Sequence, residues 1–165
     1  EFNEEFKKHQ ELSRTASAGK FKGGLADASK ETICGHTATH LLLASLRKIL
    51  GDHVYQKGSN ITPERLRLDF THDKKLTAEQ LHEIEGLVNE QIKKGLPVTY
   101  RVMSVKDAKK KKALGVFEHK YQPRVIVYTI GKQDYPFSRE ICGGPHVQNT
   151  NELGHFKIIK EEDEL

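Results

Sequence analysis

Two stretches of the chain carry side chains that could do chemistry together. "GHTATHLLLASLRKIL", residues 35–50, sets His36 and His40 four positions apart, and "ICGGPHVQNT", residues 141–150, sets Cys142 and His146 at the same interval. On a helix, positions i and i+4 share a face, so the first pair can aim both imidazoles at one centre. Gly143, Gly144 and Pro145 point to a tight turn, which can fold Cys142 and His146 back onto that centre. Three imidazoles and a thiolate form a borderline-soft donor set, and zinc is the divalent ion that suits it. Each pair alone has a plainer reading, as helix-edge histidines or a small buried thiol. Together they require two accidental spacings. The pairs lie about a hundred residues apart, so the fold, rather than a local finger or ribbon, must assemble the site. "HTATH" has no Glu after His36 and so lacks the general base of His-Glu-x-x-His metalloproteases. Cys34 breaks the paired spacing and reads as a packed thiol.

The elements that must position these groups follow from periodicity and caps. Ser29 can cap a helix with Glu31 in its first turn, running to about Leu50 and stopping at Gly51. Ala38, Leu42, Leu46 and Ile49 would form its buried arc, with His36, His40, Leu43 and Arg47 along the edge. Residues 54–70 read as two strands joined by a turn around Ser59–Pro63. In "RLRLDF", Leu66, Leu68 and Phe70 alternate with Arg65, Arg67 and Asp69, which gives Arg67 and Asp69 a common face. Thr77 and Gln80 form a capping box, Leu76 and Leu81 a hydrophobic staple. The helix behind them buries Leu81, Ile84, Val88 and Ile92 and ends at Gly95–Pro97. A strand near 98–102 leads to a short helix capped by Ser104 and Asp107 that carries Lys109–Lys112. "RVIVYTI", residues 124–130, reads as a central strand, and "HFKIIK", residues 155–160, as a last one. Residues 1–18 form a polar lead-in and residues 19–27 a glycine-bearing strand or loop. The mixture predicts an α+β fold: a mixed, largely antiparallel sheet with packed helices around a zinc site.

At 165 residues the chain is long enough to bury a core. Lys and Arg exceed Asp and Glu by 27 to 23, a mild imbalance that permits a nucleic-acid partner without demanding one. Two cysteines are too few for a disulfide scaffold, and no apolar run reaches the length of a membrane span. The start "EFNEEFKKHQ" reads as that of a piece cut from a longer protein.

"HTATHLLLASLRKILGDHVYQKGSNITPERLRLDF", followed by "SREICGGPHVQNTNELGHFKI", resembles the editing domain of alanyl-tRNA synthetases and the stand-alone editing proteins related to it. "ELSRTASAGKFKGGLAD" is similar to the segment preceding that domain. The resemblance thus divides the chain into a lead-in, 1–28, and an editing domain, 29–165. A related domain in threonyl-tRNA synthetases has the same ligand pairs, but "QKGS" and "RLDF" favour the alanyl type. Pro145 and Leu68 depart from the Thr and Phe common there.

The resemblance implies hydrolysis of the ester on tRNA for alanine mischarged with serine or glycine. It implies zinc on His36, His40, Cys142 and His146, with Gln56 and Asp69 as catalytic candidates. Ser59, Arg67, Gly143 and Gly144 become candidates for holding substrate. Four protein ligands would close the zinc site, and three would leave a position open; the sequence leaves both possible. It further implies a cytoplasmic setting, no membrane, and the catalytic and tRNA-recognition domains of a synthetase as neighbours. Lys20, Lys22 and Arg47 are candidate phosphate contacts, whereas Lys109–Lys112 read as a solvated face. The rival reading is a zinc-stabilised module that binds tRNA without catalysis; another is a trans-acting deacylase.

Overall fold

A computed structural model describes residues 24–115 and 122–163. The readings of residues 1–23, Lys20 and Lys22 included, lie outside the described residues. Helix α1, Lys30–Leu50, is capped by Ser29, whose hydroxyl accepts from the Thr32 amide, and it stops at Gly51. It is no surface helix. Besides the apolar Leu41, Leu43, Ala44 and Leu46, it buries Thr37, Thr39 and Ser45. Those hydroxyls donate to the carbonyls of Ile33, Gly35 and Leu41 one turn back, which satisfies them without exposure. The predicted edge strip is therefore corrected. His36 and His40 are 4% and 5% exposed, whereas Leu42 and Ile49 of the expected buried arc are only half-buried.

Strands β1, Gln56–Ile61, and β2, Leu66–Phe70, form an antiparallel hairpin with a bulge between Gln56 and Gly58. The turn falls at Thr62–Arg65, later than expected. There the Thr62 amide donates to the Arg65 carbonyl and the Thr62 hydroxyl accepts from the Arg65 amide, so β1 runs through Ser59. Leu68 and Phe70 pack with Leu43, Leu46, Val54, Leu76 and Ile84. Of the proposed lead-in, residues 24–28 are described, and Leu25 is buried and bridges Ile61.

Helix α2, Ala78–Lys94, has the Thr77/Gln80 capping box and a left-handed Gly95 at its end. Ile84, Val88 and Ile92 are buried as the periodicity requires, whereas Leu81 is only half-buried. Strand β3, Val98–Ser104, leads into the short helix α3, Val105–Lys110, capped by Ser104. Strands β4, Arg124–Gly131, and β5, Pro136–Ile141, complete an antiparallel sheet in the order β3–β4–β5. Among the described residues the fold is α+β with two small antiparallel sheets, not the one sheet expected, packed on helices around a His/His/Cys/His cluster.

Two further corrections concern strands. Sequence reading passed over β5, whose charged Arg139 and Glu140 mask its pattern. Residues 155–160 form no strand. Their backbone is paired with side chains of α2: the Phe156 amide and carbonyl meet Asn89 and the Ile158 amide meets Glu85. An apolar segment laid along a helix looks like a strand in sequence, because both bury alternate residues.

A candidate metal centre

The i, i+4 spacing on α1 brings His36 and His40 to one face, directed at the loop that follows β5. Cys142 leaves β5 with its amide donating to the Ile126 carbonyl. The chain then turns through Gly144, with φ +68° and a cis peptide to Pro145, and returns as His146. A Cβ on Gly144 would come within 2.5 Å of the Tyr128 hydroxyl, so this turn has room only for glycine. Beyond His146 the loop is tied down by Val147, whose amide donates to Thr37, and by Thr150, which links the Leu96 amide to the Gln91 carbonyl.

The ligand atoms of His36, His40, Cys142 and His146 lie within 4.8 Å of one another. Cys142 Sγ is 3.4 Å from Nε2 of both His36 and His146. Zinc–sulfur and zinc–nitrogen bonds of ordinary length at tetrahedral angles would set sulfur and nitrogen about 3.5 Å apart. Donor types and spacing therefore fit one four-coordinate zinc ion.

The far side of each ring agrees. His36 Nδ1 donates to the Pro145 carbonyl at 2.9 Å, leaving Nε2 as a lone-pair donor toward Cys142. His146 Nδ1 donates to the Thr37 hydroxyl at 2.9 Å. That hydroxyl also accepts from the Val147 amide and donates to the Ile33 carbonyl, so its full capacity is used. His40 Nδ1 faces the carboxylate of buried Glu140. Each imidazole is thus oriented by a carbonyl, hydroxyl or carboxylate, the pattern that fixes tautomer in metal-ligating histidines. Sequence reading missed Thr37 and Glu140. The available signals were that Thr37 directly follows a ligand, and that Glu140, two residues before Cys142 on a strand, shares its face.

The cluster's charges suit a cation. Burial pushes the Cys142 thiol up, but the His36 and His40 rings outweigh it and hold the thiol at about 6. Burial disfavours charge on His40, yet the Glu140 carboxylate and Cys142 outweigh it and raise it to about 10. Burial, reinforced by the charges of His40 and His36, drives His146 far below the ordinary imidazole range. In the metal-free chain the raised His40 adds stability that is complete below the ordinary 6.5 and lost as pH rises through about 10. A metal must displace the proton on His40 Nε2, whereas Cys142 is already a thiolate above about pH 6. Zinc added to metal-free protein at pH 8 should therefore release about one proton per chain. Titration in a weak buffer with a pH indicator measures this, and release of none or of two would contradict the assigned protonation.

The remaining predicted residues fall on the hairpin and the loop. Gln56 Nε2 donates to the Ser59 hydroxyl at 3.3 Å. Arg67 is paired with Asp69 through two contacts, 2.9 and 3.1 Å, on the face that alternation gave them. The Asp69 carboxylate lies over Gly58, where a Cβ would meet it at 3.2 Å. Gly144 donates its amide to Cys142 Sγ at 3.4 Å, and Gly143 is exposed beside it. Among the described residues, no hydrogen bond or ion pair joins Gln56, Arg67 or Asp69 to the four ligands. Arg47 is held by the carbonyls of Asp52 and Val54. Cys34 stays out of the cluster, its thiol against the Glu152 carbonyl. A cavity of about 810 Å³ opens between α1, β2, α2 and residues 153–162. It takes the Gly35, Ala38 and Leu42 side of α1, opposite His36 and His40.

Fold and site together define an α+β domain that joins a helical His-x-x-x-His to a Cys-x-x-x-His turn behind a strand. Residues 125–164 match the family described as the threonyl and alanyl tRNA synthetase second additional domain, and Cys142 and His146 fall inside that segment. The chain is 57% identical over 162 residues, 98% of its length, to an alanine–tRNA ligase of Treponema denticola, and 54% over 161 residues to one of Borreliella afzelii. It spans 26% of the length of each. Similarity to the alanine–tRNA ligase of Petrotoga mobilis is 49% over 132 residues, 80% of this chain and 15% of that relative. Residues 125–164 thus match this second-additional-domain family, and nearly the whole chain is similar to one segment of alanine–tRNA ligases. Among the described residues, no helix is long and apolar enough to cross a membrane.

Proposed function

We propose that this chain is the editing module of an alanine–tRNA ligase, hydrolysing the ester that joins serine, or glycine, to tRNA for alanine. The observation that carries the reading is the convergence of His36, His40, Cys142 and His146 on one centre, in a chain similar along 98% of its length to an alanine–tRNA ligase. Zinc is the proposed cofactor; held by all four ligands it would fix the geometry of the site, and with one ligand position given up to the ester it would supply a Lewis acid to orient and polarise it. The parent's catalytic and tRNA-recognition domains are the proposed neighbours.

An aminoacyl ester is already activated. Its hydrolysis needs a placed water, a partner for developing negative charge and a pocket that rejects the correct substrate. Pro145, Thr37 and Glu140 hold the three rings, so the ligand set is rigid before substrate arrives. Gly143 and Gly144 let backbone approach the reacting group closely, and with Ser59 and Arg67 they are proposed to hold substrate. Gln56 and Asp69 are proposed to act on it. Serine differs from alanine by one hydroxyl, which a pocket shaped for alanine rejects poorly. A hydrogen-bonding group aimed at that hydroxyl separates the two, and the Gln56 amide, resting on Ser59, has the required chemistry.

The test is deacylation of serylated and alanylated tRNA for alanine at high enzyme concentration, against buffer alone. Wild type should clear the seryl ester and spare the alanyl ester. Gln56→Ala should cut the ratio of the two rates by roughly tenfold, as loss of one hydrogen bond to substrate does, with zinc content unchanged. An unchanged ratio removes Gln56 from the role. Decay of both esters at the buffer rate, with zinc bound, would leave only the binding-module reading.

A further inference from the structure

The sheet face that carries the metal cluster is covered at one end and bare at the other. The register pairs Val98 with Ile130, Tyr100 with Tyr128, Val102 with Ile126 and Ser104 with Arg124, so these side chains share one face. Glu140 lies opposite Tyr128 on β5 and meets His40, which puts the cluster on this same face. At the near end Val98 and Ile130 are buried in the main core. Farther along the same face, Tyr100 is 61% exposed, Val102 50% and Ile126 36%.

The bare part is continuous with the site. The Tyr128 ring meets the ligand His146 edge-on, centroids 4.4 Å apart, and Tyr100 lies 5.4 Å from Tyr128 on the outer side. An aromatic path thus runs from a metal ligand to solvent. Beyond it come Ile126 and Val102, and then exposed Arg124. Strand rise puts Tyr128 and Arg124 about 13 Å apart, the reach of a few linked bases.

We propose that this face is a stacking shelf for the single-stranded 3′ end of the RNA whose ester reaches the metal centre. The proposal rests on the hydrolase reading above and names where the nucleotides next to the ester lie. An ester in the site has a ribose attached, and the base on that ribose must settle within one nucleotide of His146. Tyr128 and Tyr100 offer π-faces there, which take any base. Val102 and Ile126 extend the apolar floor, and Arg124 is placed to meet a phosphate of the incoming strand. A path of one half-buried and one exposed tyrosine ending in a cation gives a purely apolar partner helix no particular advantage.

The probe is a short single-stranded oligoribonucleotide with no amino acid attached, beside a copy lacking its 3′-terminal base, added to the zinc-loaded chain. The protein has no tryptophan, so Tyr100→Trp introduces a sole reporter on the shelf. Its emission should be quenched by the intact oligonucleotide and far less by the abasic copy. Tyr100→Ala should bind about tenfold more weakly, with zinc content and secondary structure unchanged. Equal binding by Tyr100→Ala, or equal quenching by both probes, overturns the proposal. So does sedimentation showing that the wild type self-associates and Tyr100→Ala does not, which would give the face to a second copy of the chain. Tyr100-dependent binding without deacylation removes the hydrolase reading and leaves the shelf. Deacylation at the wild-type rate by Tyr100→Ala, with binding unchanged, removes the shelf and leaves the hydrolase.

Discussion

Cys142→Ala is expected to empty the metal centre and to stop ester hydrolysis with it. The sulfur contacts Nε2 of His36, Nε2 of His146 and the Gly144 amide, so it joins a ligand on the helix to a ligand on the turn. It is also the anionic donor of the set; without it a divalent ion would face neutral imidazoles alone. Loss of a ligand should therefore lower affinity by more than the roughly 10–100-fold that loss of an outer partner causes. Cys34 offers no substitute, since it lies on the other side of α1 against the Glu152 carbonyl. Metal analysis after dialysis against a weak chelator should find about one zinc per wild-type chain and almost none in the variant. Circular dichroism guards against simple unfolding. A folded Cys142→Ala protein that keeps full zinc would show that the ligand assignment is wrong.

Glu140→Gln should weaken the metal by roughly 10–100-fold while leaving the ligands themselves in place. Glu140 is 7% exposed and its carboxylate faces His40 Nδ1. The neutral amide keeps the shape and can still accept the Nδ1–H. It cannot supply the negative charge that makes His40 Nε2 a stronger donor. Arg139 is the matched control: it precedes Glu140 on β5 and points to the opposite face, where it donates to the carbonyls of Lys111 and Gln133. Competition with a chromogenic chelator gives both affinities. A Glu140→Gln protein with wild-type affinity would reduce Glu140 to a packing residue.

The four-ligand cluster was legible in the sequence because its signal is chemical. Donor types and the i, i+4 interval survive without knowledge of the fold. The same holds for Ser29, Thr77 and Ser104, since a cap is a local hydrogen bond. What stayed hidden was whatever depended on tertiary partners. Thr37, Thr39 and Ser45 are polar, yet back-bonding to carbonyls of α1 lets them be buried, and the expected edge at His36 and His40 lies in the interior with them. Residues 155–160 alternate like a strand but are paired by Asn89 and Glu85 of α2. The pattern of β5 is masked because Glu140 is charged and buried for the sake of His40. The open sheet face was hidden in "RVIVYTI" for a similar reason. That run looks uniformly buried, but Ile126 lies at the surface and Tyr128 beside it is only half covered.

The most direct test of the account follows one preparation through three states: zinc-loaded, stripped of metal, and reloaded. In each, single-turnover loss of the seryl ester from tRNA for alanine is compared with loss of the alanyl ester. The account predicts seryl hydrolysis well above buffer when loaded, the buffer rate when stripped, recovery on reloading, and an alanyl ester spared throughout. Seryl hydrolysis that persists at the loaded rate in stripped protein, or alanyl and seryl esters lost at the same rate, would contradict it.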